Sequence, residues 1–315
     1  MASVVSPGLS APNPLPSPDL TRLDRAGTAE ALVPTIARLQ EALPADEAAA
    51  AIDSALATGR SLYSHGRSCE AIDLARAALS QARRTPGSPR IYRALAACGI
   101  LCADSFDVVS AIEFHAQALR LATHESEAVE LAQAWNNIGL ALALAGSPAM
   151  AARAYSRAIE ASQAVEGPCY VRFAGSANRA NTLFHLGAYE EGLKVALRAV
   201  DELTPEFATR ERHAVILLHR NLVHLLVAVG RVAEAGERVA QLVALAEQAD
   251  SPRASIAAAT ARAAYELAIG QEDVALTRLD QALNKARQSP AHLRDALVCL
   301  IRAEELVGSP ERALA

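Results

Sequence analysis

The chain has 315 residues, a net charge of −5 and a pI near 5.9, with 51% hydrophobic but only 4% aromatic residues. That length is enough to bury a sizeable core, and a mildly acidic balance without a basic face or domain argues against nucleic acid as a partner. Ala and Leu dominate the apolar set and prolines gather at segment ends, a helical composition because Ala, Leu, Arg, Glu and Gln lose least on entering a helix.

Residues 1–23 are rich in Pro, Ser and small residues and lack periodicity; they are expected to form a disordered N-terminal arm. The first positive residue is Arg22 and no apolar stretch precedes it, which reads as no secretory signal. The longest apolar runs, such as Ala94 to Ala103, are about half the length that spans a bilayer. Together these point to a cytoplasmic chain with no membrane contact. Five cysteines (Cys69, Cys98, Cys102, Cys169 and Cys299) form no CxxC pair. Cys98 and Cys102 lie one helical turn apart on core positions, and are expected to be small buried hydrophobes in a reducing compartment.

A first helix is expected over Thr28 to Leu43, with Pro34 as a kink or late start, covering the flank of the first full repeat. From there the chain repeats. Gly66, Gly146, Gly187, Gly230, Gly270 and Gly308 each close a first helix, with Phe106 at the same place in the second unit. A glycine suits that place because the chain turns there with positive φ. Five residues further on stand Ala71, Ala111, Ala151, Gly192, Ala235, Ala275 and Ala313, at spacings of 38 to 43 residues. Seven units at one period predict stacked antiparallel helix pairs over 24–315, the seventh incomplete. The extra residues, at Thr123 to Ser126, Gly167 to Cys169 and Thr204 to Phe207, are expected to be loops between units. A small residue in mid-first-helix, Gly59, Gly99 and Gly139, becomes Ala180, Val223, Ala263 and Ile301, which predicts looser or altered packing beyond Leu203.

The third unit, WNNIGLALALAGSPAMAARAYSRA from Trp135 to Ala158, carries Trp135, Ile138, Gly139, Leu142, Gly146, Ala151, Tyr155 and Ala158. That spacing resembles the tetratricopeptide repeat (TPR), with Leu142 in place of the usual Tyr and Gln163 where a Pro is usual. The long period is similar to that of bacterial peptide-sensing regulators and kinesin light chains. The resemblance implies an all-α, right-handed superhelical solenoid whose first helices line a concave groove.

No P-loop, GxGxxG after a strand, HExxH or GxSxG occurs, and the eight histidines are scattered, so the segment is expected to be non-catalytic, with no cofactor and no metal. On the groove positions implied by the resemblance stand Asn136, Asn137, Asn178, Asn181, Phe184, His185, Arg220, Asn221 and His224. Asn137, Asn178 and Asn221 share one position in three consecutive units. Each amide offers one acceptor and two donor hydrogens, so a row of them either holds an extended peptide backbone or bonds between neighbouring helices to set their stacking. Arg220 is placed to pair with a ligand carboxylate. The carboxylate clamp of chaperone-binding TPRs is not reproduced, because Leu217 and Asn221 stand where it needs cations. The sixth unit's Ala257, Thr260, Ala261 and Ala264 are either close-packed or open to a partner helix.

The expected function is therefore a scaffold that binds a protein or peptide partner in its groove. The alternative is the sensory or dimerising N-terminal half of a larger bacterial signalling protein, such as a diguanylate cyclase. The last unit stops two residues after Ala313; an uncapped repeat helix there is expected either to continue into more chain or to offer a surface for a homo-oligomer.

Overall fold

A computed structural model describes residues 25–64, 67–85, 90–125, 128–249 and 251–287. The expected N-terminal arm, Gly66, Cys299 and the seventh unit lie outside the described residues. The rest falls into two compact units divided between residues 88 and 89, and among the described residues all regular structure is helical.

In the first unit, α1 (Arg25–Gln40), α2 (Ala45–Ser64) and α3 (Ser68–Arg83) pack together. The first helix ends before Pro44 and starts earlier than Thr28, with Pro34 in its interior. It covers both helices of the first pair, closing a core that includes Leu32, Leu39, Ile52, Leu56 and Leu74. Arg84 Nη1 donates to the carbonyls of Gln40 and Glu41, satisfying acceptors that the end of α1 leaves without partners.

Among its described residues the second unit holds five helix pairs: α4 (Arg90–Asp104) with α5 (Val108–Glu125), α6 (Ala128–Leu144) with α7 (Pro148–Ser162), α8 (Tyr170–His185) with α9 (Tyr189–Asp201), α11 (Arg212–Ala228) with α12 (Val232–Ala249), and α13 (Pro252–Ala268) with α14 (Glu272–Ala286). The first helices α4, α6, α8, α11 and α13 pack in sequence, each against the next. Arginines join successive pairs end to end. Arg172 Nη2 donates to the carbonyls of Ser162 and Val165 at 2.7 and 3.1 Å, and Arg212 Nη1 to Gln248 at 2.7 Å. A cation at a helix C-terminus also meets the negative end of its dipole.

The turns within pairs follow one geometry. Gly146, Gly187, Gly230 and Gly270 have φ between 73° and 79°, and the next residue's N–H returns to a carbonyl five back, as Ala188 does to Leu183 at 2.9 Å. This is the Schellman closure. Phe106 adopts it too, with φ 62° and the same return bond from Asp107 to Cys102 at 2.9 Å.

Between α9 and α11, where a loop was expected from Thr204 to Phe207, the chain forms α10 (Pro205–Arg210). Thr204 caps it by accepting from the Phe207 N–H at 3.2 Å, with Pro205 at the first helical position. Phe207 is buried and its ring lies 4.4 Å from that of Phe173. The extra residues of this longest period thus supply a core aromatic.

Packing within each pair turns on one contact. An ideal Cβ on Gly99 would lie 2.3 Å from the His115 ring, and one on Gly139 2.6 Å from the Tyr155 ring. Later units place Ala180 with Ala196, Val223 with Val239 and Ala263 with Leu279 at these two positions, all buried. Of the two expected outcomes the packing is altered: where the first helix gains bulk the second loses a ring, and one buried cluster runs from Phe173 to Ala261. Cys98 and Cys102 are buried as expected, and in unit six Ala257, Thr260 and Ala261 are close-packed while Ala264 is half-buried.

His115 is 0% exposed and neither ring nitrogen has a hydrogen-bond partner. Burial pulls its pKa from 6.5 down to about 4. His219 also falls to about 4, through burial first and Arg238 second. Both imidazoles are neutral in the folded state and take up protons on unfolding, so stability is full above pH 6.5 and falls as the pH drops towards 4. Complete titration of each is worth on the order of 3 kcal/mol. His115→Phe is expected to remove roughly half of this decline, read as the change in urea midpoint between pH 7 and pH 4.5; an unchanged slope would contradict the assignment. Phe106→Gly is expected to raise stability by up to ~1 kcal/mol, because the ring is 69% exposed and the left-handed backbone is costly only for a side chain.

Candidate functional site

The packing of α6, α8 and α11 brings three sets of polar side chains onto neighbouring helices. Asn178 Nδ2 donates to Asn136 Oδ1 at 3.1 Å, joining α8 to α6. Asn221 Nδ2 donates to the Ala177 carbonyl at 2.7 Å, joining α11 to α8, and its Oδ1 accepts from Arg220 Nε at 3.1 Å.

Exposure separates the residues into two kinds. Asn137 and Asn221 are buried, whereas Asn136, Asn178, Asn181, Arg220 and His224 are half-buried and His185 is exposed. Asn221 therefore spends its amide on stacking. Asn178 uses one of its two N–H groups on Asn136 and keeps solvent access. Asn181, one helical turn beyond Ala177, makes no side-chain hydrogen bond to the other described residues. Asn178 and Asn221, at the same register position in successive pairs, thus do different work: the first stays half-buried and the second is buried.

One end of this strip is aromatic. The Phe184 ring lies 5.7 Å from His224, 5.8 Å from His185 and 5.5 Å from Tyr189. These are ordinary separations for tilted and edge-on ring pairs. Tyr189 was not among the expected site residues. It comes from the second helix α9, where the resemblance placed no groove position, and it is 38% exposed. Its signal was present in the sequence as a large aromatic two residues after the Gly187 turn, in a chain with few aromatics. Arg179, on the same helix as Asn178, is held by Glu191 at 2.6 Å.

Chemically the strip offers amide donors and acceptors, one guanidinium and a ring cluster, the groups that hold a peptide backbone and an aromatic or aliphatic side chain. Among the described residues no group of three His, Cys, Asp or Glu side chains is placed to hold a metal ion, and no helix is long and apolar enough to cross a membrane.

Asn221→Ala is expected to cost about 1–3 kcal/mol, because it removes a buried bond between α11 and α8. Asn181→Ala is expected to stay within about 0.5 kcal/mol of wild type. Urea denaturation of the two variants side by side checks the division between stacking and surface amides.

No family model and no curated protein sequence matches this chain. Solved structures do match in fold. A Rap protein complexed with competence and sporulation factor superposes with a TM-score of 0.67 at 15% identity, over 91% of this chain and 76% of that one. Aspartyl phosphate phosphatase F from Bacillus subtilis gives 0.64 at 13% identity, over 91% and 78%. A kinesin light chain with TPR-like repeats from Podosopora anserina gives 0.51 at 16% identity, over 64% and 97%. With its antiparallel helix pairs and Schellman turns, the chain has the fold of the TPR-type helical-repeat solenoids.

Proposed function

We propose that this chain is a non-catalytic interaction module that binds a peptide or an extended segment of a partner protein along the α6–α8–α11 strip. The observation that carries this reading is the continuity of polar groups across three adjacent first helices. Asn136 and Asn178 meet at 3.1 Å and Arg220 meets Asn221 at 3.1 Å, while Asn181, Arg220 and His224 keep part of their surface in solvent. Amides spaced along a row of helices match the alternating donors and acceptors of an extended backbone, and Arg220 suits a carboxylate. The ring cluster at Phe184, Tyr189 and His224 suits an apolar side chain of the ligand. Support also comes from fold neighbours whose structures hold peptides, a Rap protein with competence and sporulation factor and a plasmid conjugation regulator with the Phr* peptide. The compartment consistent with this reading is the cytoplasm.

The test is selection of binding heptapeptides from a random display library, followed by calorimetric titration of the best binders. Against Asn178→Ala/Asn181→Ala/Arg220→Ala, binding is expected to weaken at least tenfold, about 1.4 kcal/mol. Binders that titrate equally into both proteins would remove the strip as the site.

A further inference from the structure

A second surface of the same unit is shaped as a cleft, and it lies away from the strip. Helices α12, α13 and α14 enclose about 670 Å³ between them, within the range of ligand sites. Its floor is made of small apolar residues, Ala246, Ala258 and Ala282, with Val243 above them. A hollow of about 500 Å³ continues from it past Val243 and Arg262 to Tyr265 and Gly236.

Three cations line the cleft: Arg262, Arg278 and Lys285. Their charges are not fully spent. Glu266, 3% exposed, accepts from Arg278 Nε and Nη2, both at 2.8 Å, and from Arg262 Nε at 3.0 Å. Arg262 thus uses only Nε, and its two terminal amino groups stay uncommitted among the described residues on a side chain that is 45% exposed. Among the described residues Lys285 Nζ reaches only Ser255 Oγ, at 3.2 Å. The first turn of α13, with Pro252 and Ser255 at the rim, adds the positive end of a helix dipole. Against the three cations stand two carboxylates among the described residues: Glu247, which lines the cleft, and Glu266, which is buried behind Arg262 and Arg278 and lines only the adjoining hollow. The balance is one positive charge, in a chain whose net charge is negative.

We infer that this cleft is a docking site for an acidic peptide segment, one carboxylate meeting Arg262 and Lys285 while flanking apolar side chains lie on the Ala246, Ala258 and Ala282 floor. The pair of free amino groups on Arg262 matches a carboxylate in plane. The surplus of one charge suits a single carboxylate better than a dianion, and the alanine floor needs an apolar body that a free phosphate lacks. Glu266 holds Arg278 and Arg262 in place, so the donors are positioned before the ligand arrives.

The probe is the capped peptide acetyl-Ala-Leu-Glu-Leu-Ala-amide, titrated into the full chain and followed by NMR shifts of the Ala258 and Ala282 methyls and the Arg262 Nε–H. Its glutamine counterpart and inorganic phosphate are titrated in parallel. The glutamate peptide is expected to shift these signals saturably and the glutamine peptide to bind at least tenfold more weakly. Arg262→Gln/Lys285→Gln is expected to lose the response by a similar factor, and Lys285→Glu, a change on an exposed side chain, to abolish it. Asn178→Ala, on the strip, is expected to leave it unchanged, which separates this site from the one above. Equal binding of the two peptides, saturation by phosphate alone, or full binding by the double variant would each overturn the assignment.

Discussion

Every helix pair in the second unit depends on one close approach. A residue in the middle of the first helix faces a residue sixteen positions later in the second, and their combined bulk sets how near the two axes come. Gly99 lies under the His115 ring and Gly139 under the Tyr155 ring, with no space for even one added carbon. Where Val223 and Ala263 fill the first position, Val239 and Leu279 replace the ring. Interiors tolerate redistribution of volume far better than a net change in it. That is why a drifting motif still yields a regular stack, and why His115 remains buried although its nitrogens find no partner.

Regular pairs in turn place the first helices side by side, and the polar strip results from that. On an isolated helix Asn178 and Asn221 would be ordinary solvated amides. Beside a neighbour, Asn221 finds the Ala177 carbonyl and Asn178 finds Asn136. A buried donor must have such a partner, whereas a half-buried amide satisfies one bond and still faces water. Buried stacking contacts and the solvent-facing strip therefore draw on the same residue type, with exposure separating the two.

Much of this was legible in the sequence because periodicity reports what recurs. The repeated turn position named Gly146, Gly187, Gly230 and Gly270, and even identified Phe106 as their equivalent, since register outweighs residue type at that point. Whether packing beyond Leu203 would be looser or only altered was not legible, because the motif describes one helix at a time, while packing depends on both members of Val223 and Val239. The helix α10 was hidden for a related reason. Thr204-Pro205 is a helix start, but its value lies in Phe207 reaching Phe173, a contact with no counterpart among the other described units. Tyr189 was missed because it enters the strip from a second helix, outside the positions a one-helix pattern assigns.

The α12–α14 cleft shows the same limit in its strongest form. Arg262, Arg278 and Lys285 stand at unrelated register positions on two helices, and in the sequence each reads as one more charge on a solvated face. The two arginines are united by Glu266, a buried acid that takes three hydrogen bonds from them, while Lys285 is held separately by Ser255. Stripping water from a carboxylate costs several kcal/mol unless cations offset it, so a buried Glu in an alanine-rich helix fixes where its arginines must be. The arginines then point their remaining donors where a repeat pattern alone would not put them. Val239 and Val243 lie one turn apart on α12; the first packs on Val223 in the shared core and the second lines the cleft. Strip and cleft are thus built on one continuous buried cluster, from α8 through α13.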